Sequence, residues 1–250
     1  MSDKKRAIAK FYKPIRRWAN EVIVNRSLVG DPPVFDPATF PWTRSLEENW
    51  EGVRDEAMGI WKHWEALPPM VEVVPLTYKI TTDDTWKTFF FWCYGERINQ
   101  NCERAPHTAR LVDQIPGISM ALFSFHKPHL HIPRHVGVTK YFLTCHLGLK
   151  VPTQWENCRI QVDDQTLNWH EGKTIVFDDM AEHEVWNDTE EYRAILMIQF
   201  QRPVSFVGRL VGNALKTAIR WSPVGDEVRD RLDTWDKRLT DAESSAKRAA

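Results

Sequence analysis

Charge of one sign is missing from this 250-residue chain: 33 Lys and Arg stand against 34 Asp and Glu, a formal net charge of −1. Bulk charge therefore offers no argument for nucleic acid or for a strongly acidic partner. Long apolar runs are missing too. No stretch reaches the roughly 18 apolar residues of a membrane span, and the opening MSDKKRAIAKFYK lacks the apolar core of a secretory signal. Cysteine is scarce, with only Cys93, Cys102, Cys145 and Cys158. No two are spaced C-x-x-C, which argues against a zinc ribbon or a thioredoxin-like site. Cys93 and Cys102 lie close enough to meet across a loop. The expectation is nevertheless a reducing, cytoplasmic setting with free thiols. Internal repeats are absent.

Tryptophan is abundant, at 12 residues, and its plain role is to pack cores and strands. Residues 1–24 read as a basic helix with Ile8, Phe11, Tyr12, Ile15, Trp18 and Val22 at helical spacing. A proline-rich loop, GDPPVFDPATFPW (30–42), follows. Ser45 and Glu48 then resemble a capping box that opens a helix, with Leu46, Trp50, Val53, Ala57, Ile60 and Trp64 along one face. Leu67-Pro68-Pro69 ends it. PHTARLVDQI (106–115) reads as a further helix.

From Trp86 the pattern changes to short apolar runs: WKTFFFWCY, GISMALFSF, TKYFLTCHLGLKV, RIQV, KTIVF, HEVWN and RAILMIQF. Such runs between turn residues predict a mainly β fold, a sandwich or jelly roll, with flanking helices. The expected organisation is an N-terminal helical and loop region (1–84), a β core (85–203) and a C-terminal amphipathic helix with a tail (204–250). In that last part Phe206, Val207, Leu210, Val211, Ala214, Leu215, Ala218 and Ile219 form a broad apolar stripe opposite Arg209, Lys216 and Arg220. The stripe suits packing on the β core. Its alternative is docking on a membrane surface or a second subunit through 206–221. DAESSAKRAA is expected to fray.

The chemistry-bearing stretch is HIPRHVGVTKYFLTCHLGLKV (131–151), answered by FDDMAEHEVWNDTEEYR (177–193). His126, His129, His131 and His135 crowd ten residues beside Lys127 and Arg134, and His183 lies in a strand-like HEVW. Two imidazoles without thiolates suit Fe(II), nickel or zinc, and spacing does not choose among them. Glycine, at Gly137, stands where a two-histidine, one-carboxylate site would place its acid. Arg193 opens an apolar strand and requires an anion, because an unpaired buried guanidinium is costly. The partner is either a nearby acid (Asp178, Asp179 or Glu191) or the distal carboxylate of a dicarboxylic cosubstrate.

HIPRHVG (131–137), CHLGLKVP (145–152), the W-x-E-G-K of Trp169–Lys173, FDDMAEHEVWN (177–187) and RAILMIQFQRP (193–203) occur in one order. In these motifs the chain resembles the aspartyl/asparaginyl β-hydroxylase family, in particular compact bacterial members without a membrane anchor. The resemblance implies a double-stranded β-helix and a dioxygenase using Fe(II), 2-oxoglutarate and O2. It implies His135 and His183 as iron ligands, with Gly137 the family's replacement for a ligating carboxylate. It implies Ser124 and Arg193 on the distal carboxylate of 2-oxoglutarate and His146 near the cosubstrate's other end. Thr144 departs from the pattern, since many members carry arginine there, which leaves the hold on cosubstrate or substrate open. The implied product is a hydroxylated C–H with release of succinate and CO2. An acyl chain of a lipid, an amino-acid residue or another anionic small molecule would serve as substrate, the basic run from Lys127 to Arg134 favouring an anionic head group. The location expected is cytoplasmic, with peripheral contact at the inner membrane face through 206–221 as an option. Two alternatives stand beside this reading: a non-haem iron halogenase using the His-x-Gly site, and a non-catalytic metal-binding or interaction module.

Overall fold

The computed structural model describes residues 3–81, 83–220 and 223–249. Its strands are β1 (Val34–Phe35), β2 (Trp86–Cys93), β3 (Glu96–Arg97), β4 (Ile118–His126), β5 (His131–His135) and β6 (Phe142–Lys150), then β7 (Cys158–Val162), β8 (Gln165–Asn168), β9 (Thr174–Phe177), β10 (His183–Asn187) and β11 (Arg193–Gln201). Its helices are α1 (Asp3–Asn25), α2 (Trp42–Glu48), α3 (Trp50–Trp61), α4 (Met70–Val73), α5 (Asn99–Arg104), α6 (Pro106–Val112), α7 (Phe206–Arg220) and α8 (Pro223–Ala249).

A seven-stranded sheet in the order β1-β9-β6-β11-β4-β2-β3 faces a four-stranded sheet in the order β5-β10-β7-β8. From β4 onward the chain crosses between them: large, small, large, small, small, large, small, large. That alternation is the path of a double-stranded β-helix, so the expected fold class is the observed one. β4 and β6 are buried at nearly every position because both faces of the large sheet are covered. On the outer face Phe89, Phe91, Phe123, Leu143 and Leu196 pack against Leu46, Val53, Ala57 and Ala109 of the helices. On the inner face Phe90, Leu122, Phe177 and Ile195 meet Ile132, Ile160 and Val185 of the small sheet.

Four local expectations are corrected. Helix α2 starts at Trp42, three residues before the supposed capping box, and Ser45 lies inside it without a capping bond. Asn49 breaks the helix there, donating its Nδ2–H to the Ser45 carbonyl, and α3 follows. The proline-rich loop contains β1, whose Val34 and Phe35 pair with Phe177 and Val176. On α1 the buried side chains are Ala19 and Ile23, while Ile15 and Trp18 face outward; the side chains of Ile8, Phe11 and Tyr12 lie outside the described residues. The tail is helical through Ala249, because α8 returns across the molecule. Arg104 of α5 ion-pairs with its Asp236 (2.6 Å) and Glu243 (3.0 Å). All four cysteines are buried and none is in a disulfide. Among the described residues no helix is long and apolar enough to cross a membrane.

Candidate active site

Strand alternation would point Ile132 and His135 to opposite faces of β5, since they are an odd number of residues apart. A bulge changes that. His135 pairs with His183 and Ile132 with Val185, so three steps on β5 match two on β10, with Pro133 in the irregular stretch. Both imidazoles thereby enter one cavity of about 640 Å³ between the sheets, their ring centroids 4.1 Å apart. The Nδ1–H of His135 donates to the Pro133 carbonyl (2.8 Å) and that of His183 to the Ala181 carbonyl (3.0 Å). A carbonyl only accepts, so each Nδ1 carries the proton and each Nε2 keeps its lone pair. Burial lowers the pKa of both rings; His183, next to His135, falls to about 4. Two neutral imidazoles with free lone pairs are a donor set suited to a divalent metal such as Fe(II), nickel or zinc.

The large sheet supplies the opposite wall through residues two apart: Ser124 and His126 on β4, Thr144 and His146 on β6, Arg193 to Gln199 on β11. Arg193 is 1% exposed and lies across the ladder from His126. Its guanidinium stacks 4.4 Å over the Trp169 ring, its Nη2–H reaches the Ser124 hydroxyl at 3.4 Å, and its Nε–H has no partner. No acid pairs with it among the described residues. Asp178 is tied instead to Arg202 and to Lys140 (2.8 Å), Asp179 accepts from Gln199 (3.2 Å), and Glu191 accepts from the Thr153 amide (2.9 Å). The expected salt bridge to one of these three acids is therefore not made. Burial lowers the Arg193 pKa to about 10.

Trp169 joins the two ends of the site. Its Nε1–H donates to His146 Nδ1 at 3.3 Å, so the proton of a neutral His146 sits on Nε2, which is buried and unpartnered. Burial and the Arg193 charge hold His146 neutral, well below the ordinary histidine range. The Thr144 hydroxyl beside it is likewise buried without a partner. Trp86 donates to the Ser124 hydroxyl at 2.9 Å, leaving that hydroxyl's own hydrogen to point elsewhere. Unpartnered donors gathered in one buried cavity fit a polar, anionic ligand with two ends, as 2-oxoglutarate is.

At Gly137 an added Cβ would collide with the Asp179 carboxyl. The Gly137 amide also donates to the Asp179 carbonyl at 2.6 Å. Asp179 is partly buried, with one buried oxygen unpartnered, and its desolvation beside Asp178 raises its pKa to about 7. The acid absent from position 137 is thus matched by a carboxyl delivered from the β9–β10 turn. Among the described residues no three His, Cys, Asp or Glu side chains group closely enough to hold a metal by themselves.

His135, Gly137, His183, Ser124, Thr144, His146 and Arg193 all line this cavity. His126, Asp179 and Trp86 line it as well, with Trp169 packed behind Arg193 and His146; the sequence placed His126 only in a histidine cluster and Asp179 only as a candidate partner of Arg193, and gave Trp86 and Trp169 no role of their own. The signal for His126 was present, because it lies two residues after Ser124 on one strand. The remaining histidines leave the site: His129 pairs with Glu190 (3.1 Å) and His131 with Glu184 (2.7 Å) at the surface. Lys127 and Arg134 are neutralised by Asp84 and by Glu182 and Glu184. The basic run thus meets acids of its own at the surface. Besides Arg193, the cations at the cavity are Arg16, Lys79 and Lys216.

The family model described as aspartyl/asparaginyl β-hydroxylase matches residues 47–203. An ornithine lipid ester-linked acyl 2-hydroxylase of Rhizobium tropici is 35% identical over 95% of this chain and 84% of its own. The human aspartyl/asparaginyl β-hydroxylase is 32% identical over 64% of this chain, which spans only 21% of that enzyme. Among solved structures, a Pseudomonas putida prolyl-4-hydroxylase superposes with a TM-score of 0.40 at 19% identity, over 61% of this chain and 87% of that one.

Proposed function

The chain belongs to the aspartyl/asparaginyl β-hydroxylase family, and from that premise we propose that it is an Fe(II)- and 2-oxoglutarate-dependent hydroxylase of a lipid acyl chain. The observation that carries the cosubstrate is Arg193, a buried guanidinium with no acid beside it among the described residues, in the same cavity as a histidine pair. Such a group is stable only if an anion meets it. Arg193 and Ser124 would hold the distal carboxylate of 2-oxoglutarate, and Nε2–H of His146 and the Thr144 hydroxyl would donate to its other end. His135 and His183 would hold the iron through Nε2. When bound, iron and cosubstrate supply oxidative decarboxylation by O2, which ends in a hydroxylated C–H, succinate and CO2.

What this chain adds is position and exclusion of water. Trp169 locks Arg193 and His146 in one orientation. Beyond the polar ring the cavity wall is apolar, with Met70, Val74, Ile80, Met120 and Phe142. A wall in which apolar side chains predominate suits a methylene chain, with Arg16, Lys79 and Lys216 left to meet a polar end, and the name of the Rhizobium tropici relative supports the same substrate class. A halide site would need open space beside Gly137. The Asp179 carboxyl fills it, so hydroxylation is favoured over halogenation.

The test is anaerobic addition of Fe(II) and 2-oxoglutarate to metal-free protein. A visible charge-transfer band is expected in the wild type and absent in His183→Ala, and succinate should then form in air with a lipid carrying free acyl chains. A folded wild type without the band overturns the cofactor assignment; turnover of aspartyl peptides but not lipids overturns the substrate.

A further inference from the structure

Of the eleven large apolar side chains exposed among the described residues, six share one surface. Ile15 and Trp18 come from α1, Leu28 from the link after it, and Phe206, Val207 and Leu210 from α7. The start of α7 is pinned to the end of α1, with the Ser205 amide donating to the Arg26 carbonyl and the Leu28 amide to the Pro203 carbonyl, both at 2.9 Å. From there α7 runs back along α1, and Ala19, Ile23, Val211 and Leu215 share one cluster. The apolar stripe of α7 is therefore divided. Gly208, Gly212 and Leu215 face inward, whereas Phe206, Val207, Leu210, Ala214 and Ala218 face solvent. Arg209, Lys216 and Arg220 form a third side, by helical spacing.

This surface is continuous with the cavity mouth. Arg16 of α1 and Lys216 and Ala218 of α7 line the cavity. Two more of the eleven exposed apolar side chains, Val136 and Val138, line it. Positive charge also lies here: α7 holds three cations and no acid, of which Arg220 pairs with Glu96 at 2.7 Å, and Arg16 of α1 stands beside Lys216 in the cavity lining. A second copy laid against this face would set like charge opposite like, which disfavours self-association. A bilayer with anionic lipids complements both its apolar ridge and its cations.

We propose that α1 and α7 form a docking face for an anionic lipid bilayer, with Ile15, Trp18, Phe206, Val207 and Leu210 entering the boundary between head groups and acyl chains. The cavity mouth then opens against the bilayer. Docking gains its purpose from the acyl-chain reading above, but its test uses metal-free protein without cosubstrate and is independent of turnover.

Vesicles of phosphatidylcholine, with and without phosphatidylglycerol, are co-sedimented with the full chain at low and high salt. Partition should be strongest with phosphatidylglycerol at low salt. It should fall about tenfold or more in Phe206→Ser/Leu210→Ser, because two large apolar side chains no longer leave water. Both positions are exposed, and circular dichroism checks that the variant folds. Absence of partition in the wild type, or equal partition in wild type and variant, overturns the proposal. So does a wild-type dimer by light scattering that ignores vesicles and dissolves in the variant, since a second copy then covers the face. Loss of docking with lipid turnover intact leaves the hydroxylase reading standing, and docking without turnover leaves the face standing.

Discussion

Arg193 spends its burial on a stacking contact with Trp169 and one long hydrogen bond to Ser124, although a guanidinium ordinarily enters a protein interior with a carboxylate in hand. In the ligand-free protein it is therefore a source of instability. Arg193→Met should raise stability to urea by about 1–3 kcal/mol in the absence of cosubstrate, since a flexible apolar side chain replaces an unpaired charge. The same change should raise the 2-oxoglutarate requirement about 10–100-fold, the value of a charge-assisted pair. A variant less stable than wild type, with an unchanged requirement, would show that Arg193 is structural. Asp179 illustrates the complementary case. It occupies the space that any side chain at position 137 would need, so the glycine in His-x-Gly is a steric condition for this acid's position.

At the scale of elements, two devices position the site. The bulge in β5 turns His135 to the same face as Ile132; a regular strand would have sent it outward. The second device is the seat of α7, where Gly212 lies so close to Tyr141 that an added Cβ would overlap the ring. Tyr141 is held there by Gln201 (3.1 Å) and Asn213 (2.9 Å) and cannot readily move. Gly212→Ala should therefore cost about 1–3 kcal/mol by overpacking, lowering Tm by roughly 3–8 °C. Calorimetry showing an unchanged Tm would mean that α7 is loosely seated. Because α7 reaches the cavity with Lys216 and Ala218, its displacement should also be felt by substrate.

For the molecule as a whole, buried titratable groups couple stability to pH in opposite directions. Asp179 is an acid whose pKa rises from 3.8 to about 7 on folding. The folded state holds its proton over that interval and the unfolded state does not. Its contribution is complete below about 4 and is lost as pH climbs through 7, by ~4 kcal/mol at most. His126 and His146 are depressed by burial, so their contribution is complete above the ordinary histidine range and is lost as pH falls. In metal-free protein, the stability difference between Asp179→Asn and wild type should grow in favour of the variant from pH 4 to 7. Urea titrations giving a pH-independent difference would remove Asp179 from this account.

Local pattern determined much of this protein. Short apolar runs separated by turns specified strands, because a pleat covered on both sides needs apolar residues at successive positions. Motif order specified the family, and through it the pair of histidines and Arg193, whose side chains the structure brings to one cavity. Pattern failed where the deciding contact lay far along the chain. Ser45 and Glu48 had the spacing of a cap, yet the helix starts earlier: Thr43 bonds back to Pro37 and Phe40, and Glu47 ties α2 to Thr174. The stripe on α7 reported that the helix is amphipathic; only its docking on α1 and Tyr141 decided which half of the stripe is buried. Likewise nothing near Gly137 in sequence announces Asp179, and nothing near His146 announces Trp169. Hydrophobic spacing records a residue's need for burial or for a partner, whereas the partner itself is chosen by register, bulges and helix seating, which exist only once the sheets have closed.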